Sequence, residues 1–556
     1  MKPLSLLLLL ACLSHAADPK PNIVLIHADD LGFAELGSYG QTKIKTPQLD
    51  QLAASGERWT NYYSGAPVCS PSRNVLLSGR HTGGCDIQDL KRVNPKEGSA
   101  DSQLGGDWPV SKDAYLLPKA LKKAGYLTGA FGKWGLGEYG STGAPDQQGV
   151  DVFYGYTDHR VCHSFYPEFL WRDGKKEIIN TPGIPGHQKA PAGAVDDSKY
   201  TGQKHASKLI IDETLKFVDA RAADHQPFFL YYAPLEPHVA MQPPKEWVDQ
   251  YPKEWDDKEY RGEKGYLPHS RPRAAYAATI SFLDHNVGLL LDKLKASGMD
   301  RNTLVIFTSD NGTTHDVGGV DHGFFNSVDG LRGLKGQLYE GGIRVPCIVS
   351  WPGNVPAGKT IDQPAYHADI MPTLCALAGV DAGKPNGDNL LPLWTGGSDS
   401  LPARKPMVWC GGGYGGQAAV RIGHMKAIRR NLFSETPSPW EVYDLAEDRA
   451  EAKDLASKQG DFIQQAIGIL KTEYKVAKGY NELKLSASNT NTADQPGMSV
   501  FRRLDANKDD KLSFEEWKKS PKAKSNPGKL QQIFSDLDKD HDNSLSIAEF
   551  TAQFRK

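Results

Sequence analysis

Apolar runs alternate with amphipathic stretches between residues 21 and 396. The runs 23–26, 228–231 and 304–307 are apolar or aromatic at every position, which is typical of central strands in a parallel sheet buried on both faces. Stretches with apolar residues at helical spacing are 46–55, 115–124, 201–222 and 274–297. The alternation predicts an α/β fold over residues 18–400, with a mostly parallel sheet sandwiched by helices.

The pattern changes after residue 400. Short strands at 407–409, 418–422 and 425–428 and one helix near 461–474 predict a smaller α+β subdomain over residues 401–480. The glycine-rich run 410–416 precedes a strand, so we interpret it as a loop and not as a phosphate cradle. Residues 481–496 are rich in Ser, Asn and Thr and indicate a linker, and residues 497–556 form a separate charged, helical unit.

The first residues predict an export signal. Lys2 precedes a long apolar run, and Ser14-His15-Ala16 offers a small-residue cleavage site, so residues 1–17 are interpreted as a signal peptide. The mature protein is therefore expected to be periplasmic or secreted, and a lipoprotein acylated at Cys12 is the less favoured alternative. No later stretch reaches the roughly 18 apolar residues of a spanning helix, so we expect no membrane span.

Composition limits the partners. Lys plus Arg total 65 against 67 for Asp plus Glu, so no general electrostatic attraction to nucleic acid is expected. Any anionic ligand must be bound by a local arrangement of charges. The seven cysteines are too scattered for a disulfide framework and lack the paired spacing of zinc ligands.

Polar residues follow two of the predicted central strands. Asp29 and Asp30 come after the run 23–26, and Asp310 and Asn311 come after the run 304–307. Because ligands bind at the carboxyl ends of parallel strands, these oxygens could form a site for Ca²⁺ or Mg²⁺. For each pair taken alone, a helix cap or turn is the simpler interpretation.

A third segment strengthens the metal-site interpretation. In Cys69-Ser70-Pro71-Ser72-Arg73, Pro71 suits the first position of a helix and Ser70 its cap, which predicts Cys69 at a helix N-terminus that favours anions. Arg73 lies about one turn further on and can face the same side. Charge and nucleophile are therefore expected in one pocket.

The same segment, followed by Leu76-Leu77-Ser78-Gly79-Arg80, resembles the signature of the type I sulfatases, whose cysteine is oxidised to formylglycine after synthesis. Further matching segments are 22–32, 46–50, 132–134, 151–156, 237–238, 309–312, 331–335, 340–346 and 369–374. The resemblance extends to about residue 477. It implies an alkaline-phosphatase-like α/β fold, an arylsulfatase-like enzyme that hydrolyses sulfate esters, and a formylglycine-generating maturation enzyme as partner.

The resemblance also implies residue roles. One Ca²⁺ would be held by Asp29, Asp30, Asp310 and Asn311 with the formylglycine made from Cys69, whose hydrate offers one hydroxyl to attack sulfur and a second to release sulfate. The other implied roles are neutralisation of the sulfate by Lys335, orientation of the formylglycine by Arg73 and Lys133, proton acceptance by Asp310 and protonation of the leaving oxygen by His238.

One position departs from the family pattern. Many sulfatases carry a histidine two residues after the lysine of Gly-Lys-Trp, where this chain has Gly135. We hypothesise that His163 supplies a substitute contact to the formylglycine. The alternative is that His163 is a substrate-pocket or loop residue.

Two C-terminal loops match the EF-hand template for Ca²⁺. The residues at its ligand positions are Asp505, Asn507, Asp509, Ser513 and Glu516 in the first loop and Asp538, Asp540, Asp542, Ser546 and Glu549 in the second. Asp510 and Asn543 replace the usual glycine but tolerate left-handed backbone better than most residues. We expect up to two Ca²⁺ ions with a structural or docking role; a solvated acidic helix pair without metal is the alternative.

Two other functions compete with a sulfatase. A phosphatase or phosphonate hydrolase shares this kind of scaffold, but such enzymes commonly use Ser or Thr with two zinc ions and extra histidines. A non-catalytic, calcium-dependent glycan-binding protein is the other alternative, although Lys133, His238 and Lys335 argue against it. The expected substrate is a sulfated glycan or an aryl sulfate, and export and an added module favour sulfated polysaccharides over a metabolite.

Overall fold

The computed structural model describes residues 20–93, 106–398, 400, 404–411, 413–485, 498–507, 509, 511–539 and 542–552. The proposed signal peptide with Cys12, most of the predicted linker, Asp510 and Asp540 lie outside the described residues. The bounds proposed for the domains remain predictions.

The bounds of the strands and helices follow in chain order. The strands are β1 (Asn22–Ala28), β2 (Glu57–Trp59), β3 (Tyr62–Tyr63), β4 (Arg92–Val93), β5 (Gly106–Asp107), β6 (Leu127–Lys133), β7 (Val152–Tyr156), β8 (Phe169–Arg172), β9 (Lys175–Ile178), β10 (Phe228–Ala233), β11 (Thr303–Ser309), β12 (Cys347–Ser350), β13 (Lys359–Ile361), β14 (Ala365–Tyr366), β15 (Met407–Gly411), β16 (Gln417–Ile422), β17 (Met425–Arg430), β18 (Glu441–Asp444), β19 (Lys511–Ser513) and β20 (Ser544–Ser546). The α-helices are α1 (Pro47–Ala54), α2 (Cys69–Ser78), α3 (Leu117–Lys123), α4 (Ala206–Asp224), α5 (Lys245–Val248), α6 (Pro272–Ala296), α7 (His322–Phe325), α8 (Glu340–Ile343), α9 (Ile370–Ala378), α10 (Leu391–Trp394), α11 (Gly460–Glu473), α12 (Met498–Leu504), α13 (Phe514–Trp517), α14 (Pro521–Lys524), α15 (Leu530–Leu537) and α16 (Ile547–Ala552).

The main sheet joins ten strands of the described chain in the order β13-β2-β12-β11-β1-β10-β6-β7-β8-β9. Its centre is parallel: β1 pairs with β10 and β11, and β6 pairs with β10 and β7. The three apolar runs of the sequence are the neighbouring strands β11, β1 and β10, so the predicted mostly parallel sheet is confirmed. Antiparallel pairs occur towards both edges, at β11 with β12, β12 with β2, β7 with β8 and β8 with β9.

Each face of the main sheet is covered by helices. One apolar core contains Leu49 of α1, Ile210 of α4 and Ile280 of α6. The core on the other face contains Leu117 of α3 and Leu374 of α9. Burial of both faces explains why the central strands are continuously apolar and not alternating. Among the described helices, none combines the length and the hydropathy that crossing a bilayer requires.

The C-terminal part has its own elements. Strands β15 to β18 form an antiparallel sheet in sequence order, and α11 packs on it through Ile463, Ala466 and Leu470. Helices α12 to α16 surround a separate apolar core that includes Phe501, Trp517 and Phe534. The two loops of this unit are joined by a short antiparallel pair, β19 with β20, in which Leu512 faces Leu545.

Helix α2 begins earlier than the sequence predicts. Its first residue is Cys69 and its N-cap is Val68, so Ser70 is not the cap and Pro71 is the third helical residue. Proline is tolerated there because the first four backbone N–H groups of a helix have no partner within the helix. Cys69 nevertheless lies at the N-terminus of a helix, as expected.

Candidate active site

Four buried side chains meet at the carboxyl edge of the main sheet. One ligand atom from each of Asp29, Asp30, Cys69 and His238 lies within 4.8 Å of the other three. Asp29 and Asp30 follow β1, His238 follows β10, and Cys69 begins α2. The Sγ atom of Cys69 lies 3.4 Å from Asp29 Oδ1 and 4.0 Å from Asp30 Oδ1.

The end of β11 adds Asp310 and Asn311 to this group. Pairing of β1 with β11 sets Ala28 opposite Ser309, so the residues after both strands emerge side by side. The Asp30 backbone N–H donates to Asp310 Oδ1 at 3.1 Å, and Asn311 Nδ2 donates to Asp30 Oδ1 at 2.8 Å. Asn311 Oδ1 is buried and has no hydrogen-bond partner among the described residues.

Three cations pair with the three carboxylates. Lys133 Nζ lies 2.5 Å from Asp29 Oδ2, Lys335 Nζ lies 2.7 Å from Asp30 Oδ1, and Arg73 Nη2 lies 2.8 Å from Asp310 Oδ2. All six side chains are at least nine-tenths buried, where an unpaired charge would cost several kcal/mol. The formal charges of these six groups cancel.

Burial controls the protonation of the site. Burial raises the pKa of the Cys69 thiol far above its usual range, and Asp29 and Asp310 raise it further, so the thiol is neutral at physiological pH. Burial alone would also raise the pKa of Asp29, but Lys133, His238 and Arg73 outweigh it and hold that pKa well below the usual value. Asp29 is therefore an anion.

Hydrogen bonds set the orientation of His238. Its Nδ1 contacts the Val239 carbonyl, which can only accept, so Nδ1 carries a proton and Nε2 faces Asp30 Oδ2 at 3.7 Å. Burial lowers the pKa of His238 well below 6.5, with Lys335 adding to the effect. In the neutral ring Nε2 is an acceptor, and only the doubly protonated ring can donate a proton from it.

His163 lies flat against His238. Their ring centroids are 4.9 Å apart at an interplanar angle of 12°. Nδ1 of His163 lies 2.9 Å from Nε2 of His187, and the Tyr266 backbone N–H donates to Nδ1 of His187 at 3.1 Å. His187 therefore carries its proton on Nε2 and donates it to His163, which leaves the N–H of His163 on Nε2.

Gly135 occupies the position where many sulfatases have a histidine. Its φ of +73° favours glycine, and an added Cβ would lie 3.2 Å from Ser70 Oγ and 3.7 Å from Arg73 Cδ. A side chain there would thus stand next to the first turn of α2. His163 reaches the site from another side, through its contact with His238.

Two supporting residues were missed by the sequence reasoning. Tyr231, in β10, places its hydroxyl 3.4 Å from Arg73 Nη1 and 2.8 Å from Nδ1 of His27. His187 lies in a loop with no periodic pattern around it, so no signal in the sequence points to it. The position of Tyr231 could have indicated its role, because Tyr231 lies in β10, the strand that leads to His238.

The C-terminal loops hold those predicted ligand residues that the structure describes in two similar turns. Glu516 Oε2 accepts from the Ser513 backbone N–H at 3.0 Å, and Glu549 Oε2 accepts from that of Ser546 at 2.8 Å. Asp505 and Asp538 each accept from the backbone N–H four residues on, at 3.3 and 3.2 Å. Asn507, Asp509 and Asp542 lie in the same turns. Asn543 has a φ of +64°, the left-handed backbone for which glycine is usual at that position.

The fold and the site together define a hydrolase of anionic esters. The family model described as Sulfatase matches residues 21–380, and the chain belongs to that family. Residues 322–477 match the model described as N-sulphoglucosamine sulphohydrolase, C-terminal, and residues 497–555 match the EF-hand domain pair. Membership makes the protein a sulfatase, a sulfuric ester hydrolase, and implies that it binds metal.

Known proteins similar to this chain agree with the family. N-acetylgalactosamine-6-sulfatase of Rattus norvegicus is 31% identical over 455 residues, which cover 78% of this chain and 75% of the relative. Arylsulfatase A of Bos taurus is 32% identical over 504 residues, which cover 84% of this chain and 89% of the relative. The crystal structure of Ps i-CgsB in complex with k-i-k-neocarrahexaose matches with a TM-score of 0.65 and 26% identity, over 90% of this chain and 100% of that one.

Proposed function

We propose that this protein is an exported sulfatase that removes sulfate from a sulfated carbohydrate through a formylglycine made from Cys69, with one Ca²⁺ in the site. The observation that carries the proposal is the meeting of Cys69 with Asp29, Asp30 and His238 at one buried edge of the sheet. The neutral, buried thiol of Cys69 is a weak nucleophile, so an unmodified cysteine would serve the reaction poorly.

The donor atoms suit a calcium ion. Asp29, Asp30 and Asp310 would supply carboxylate oxygens and Asn311 its unpartnered Oδ1, a hard oxygen set of the kind that Ca²⁺ prefers. When bound, the ion would supply positive charge beside the sulfate oxygens. Since the six charged side chains cancel, a divalent cation gives the pocket a net positive charge that attracts a sulfate ester.

The side chains of this chain then have distinct tasks. Arg73 and Lys133 hold Asp310 and Asp29 in place and fix the surroundings of residue 69. Lys335, held beside Asp30, brings a positive charge that can neutralise the sulfate oxygens. Burial, reinforced by Asp29, raises the pKa of Asp310, which makes its carboxylate a better proton acceptor for the attacking hydroxyl.

His238 and His163 act on the leaving side. Nε2 of His238 faces the site, so we assign His238 as the donor to the leaving oxygen. Because burial keeps the free ring neutral, the donor form arises when the negative charge of the bound sulfate raises the pKa of His238. His163 stacks on that ring and presents an Nε2–H, which can donate to the substrate or to the modified residue 69. The hydrated aldehyde of formylglycine would supply the nucleophilic hydroxyl.

The relatives support a carbohydrate as substrate. One is named for N-acetylgalactosamine 6-sulfate, and one similar structure holds a neocarrahexaose.

The proposed export depends on residues 1–17 acting as a signal peptide, and acylation at Cys12 is the less favoured alternative. We propose that a formylglycine-generating enzyme converts Cys69 during maturation. We propose Ca²⁺ in the two EF-hand loops as well, in a structural or docking role.

The assay that tests the activity compares an aryl sulfate with the matching aryl phosphate. Wild-type protein matured with the formylglycine-generating enzyme is expected to hydrolyse the sulfate and leave the phosphate nearly untouched. Cys69→Ala removes the nucleophile and should lower turnover of the sulfate by at least about 10³-fold, as loss of a nucleophile does in other hydrolases.

Cys375→Ala is the matched control, because Cys375 is another buried cysteine and lies in α9, in the core. It should retain turnover. Faster hydrolysis of the phosphate would support the phosphatase alternative, and full activity of Cys69→Ala would refute the proposed nucleophile. No hydrolysis by the matured wild type would favour the non-catalytic, glycan-binding alternative.

A further inference from the structure

A cavity of about 420 Å³ lies beside β7 and β8, outside the cluster of charged residues described above. Its wall includes Tyr139, Tyr156, Phe169 and Trp171. The Tyr139 and Trp171 ring centroids are 5.0 Å apart, and the Phe169 ring meets Trp171 edge-on at 5.7 Å. A volume of this size holds a small ligand.

The aromatic wall suits a sugar ring. The C–H faces of a pyranose are apolar, and partly exposed aromatic rings offer them a flat surface of matching size. Phe169 and Trp171 are partly exposed, so part of each ring is open to the cavity. Lys176 lies 4.2 Å from the centre of the Phe169 ring and brings a cation to the same wall.

Polar atoms in the cavity wall lack partners. The Thr157 hydroxyl donates to Glu138 Oε2, but Glu138 Oε1 is buried and has no hydrogen-bond partner among the described residues. The Tyr139 hydroxyl is also buried and has no hydrogen-bond partner within the described part of the chain. Glu138 is only 9% exposed, and burial raises its pKa to about 7. Burying such groups without a partner is unfavourable, and hydrogen bonds from a ligand rich in hydroxyl groups would relieve that cost.

The cavity adjoins the sulfate-binding side chains. Val161 lines the cavity and begins a 3-10 helix that ends at His163, whose ring stacks on His238. The rise of a 3-10 helix separates these two residues by about 4 Å along its axis. Tyr156, also in the wall, is paired with Lys133 in the register of β7 and β6. The cavity is therefore within the reach of one sugar unit from the site.

We propose that this cavity is a subsite for a pyranose ring that neighbours the sulfated sugar in an oligosaccharide or polysaccharide. The inference rests on the proposed sulfatase function and deepens it. It assigns specificity for chain length to Trp171 and Glu138, which take no part in the chemistry at residue 69. A sulfated monosaccharide or an aryl sulfate would fill the charged site and leave this subsite without a ligand.

The test uses the full mature protein with three kinds of probe. A set of sulfated oligosaccharides of two to six sugars is screened with the wild type, and the fastest is compared with its sulfated monosaccharide and with an aryl sulfate. We expect the oligosaccharide to have the higher kcat/KM. Trp171→Ala should lower kcat/KM for the oligosaccharide about ten-fold, through KM, and leave the aryl sulfate unchanged.

Two further variants separate binding from folding. Trp351→Ala removes another partly exposed tryptophan at the edge of the same core and should change neither substrate. Glu138→Gln keeps the shape of the side chain. It should raise KM for the oligosaccharide and leave KM for the aryl sulfate unchanged. The proposal is overturned if the wild type shows no preference for chain length, or if Trp171→Ala slows both substrates equally. If the wild type did not hydrolyse the aryl sulfate, the proposed sulfatase function would be refuted. The proposed subsite, which rests on that function, would be refuted with it.

Discussion

The protonation of His163 is set by residues that never touch residue 69. Nδ1 of His187 accepts from a backbone N–H, so its Nε2–H must donate to His163, and His163 must carry its remaining proton on Nε2. Burial, with His238 and Lys133, also holds the pKa of His163 far below 6.5, so the ring is neutral at physiological pH. His163 is therefore a fixed hydrogen-bond donor in the site.

Replacing His187 tests this chain of hydrogen bonds. His187→Ala frees Nδ1 of His163 to take the proton, so kcat on an aryl sulfate should fall about ten-fold with little change in KM. His187→Gln should recover most of the rate, because its amide can donate to the same nitrogen. His163→Ala should lose at least as much as His187→Ala.

The control for these variants is His424→Ala, an exposed histidine in the turn between β16 and β17. It should leave the kinetic constants unchanged. If His187→Gln were as slow as His187→Ala, the proposal that the His187 proton orients His163 would be wrong. If His163→Ala kept both turnover and substrate affinity, His163 would have no part in the reaction.

Residues in motifs could be predicted from the sequence, and isolated residues could not. Asp29, Asp30, Cys69 and Asp310 follow strands or begin a helix, so their convergence follows from the rule for parallel sheets. His187 and Glu138 act through contacts across the fold with residues 24 and 19 positions away. Such contacts depend on loop paths that hydrophobic patterns do not encode.

At the scale of elements, the EF-hand loops combine a short strand with a helix that directly follows a ligand residue. Ser513 caps α13, and Glu516 within that helix accepts a hydrogen bond from the Ser513 backbone N–H. The second loop repeats the arrangement with Ser546 and Glu549. Pairing of β19 with β20 couples the two loops. Binding of Ca²⁺ in one loop is therefore expected to favour binding of Ca²⁺ in the other loop.

The double variant Glu516→Gln with Glu549→Gln tests calcium binding by these loops. The amide removes the charged, bidentate ligand, so calorimetric titration of the full chain should show fewer bound Ca²⁺ ions. Turnover of an aryl sulfate in excess calcium should not change, since the active-site ligands are untouched. Glu515→Gln is the matched control, because Glu515 is exposed, pairs with Lys518 and lies outside the ligand positions. Unchanged calcium binding by the double variant would contradict the assignment.

Over the whole molecule, buried charges tie the C-terminal sheet to the main domain. Lys426 of β17 lies 2.8 Å from Glu340 of α8 and 3.0 Å from Glu451, and all three side chains are buried. Arg344 pairs with Glu340 at 2.8 Å. Breaking such a cluster by removing one partner costs about 3–5 kcal/mol. The family model that matches residues 322–477 includes every residue of this cluster.

The layered architecture was predictable at this scale, but the edges of the sheet were not. Alternating strands and helices predict the parallel centre, where long apolar runs mark the strands even though β1 pairs with strands far along the chain, β10 and β11. At one edge, β2 pairs with β12, setting Trp59 opposite Cys347. Strands of three and four residues, separated by almost 300 positions, carry too little periodicity to reveal their pairing.

The state of residue 69 tests the central claim most directly. Mass spectrometry of the tryptic peptide 59–73, taken from active protein matured with a formylglycine-generating enzyme, should show the aldehyde in place of the thiol. The peptide that contains Cys375 should keep its thiol in the same sample. Fully active protein that retains a thiol at position 69 would contradict the account.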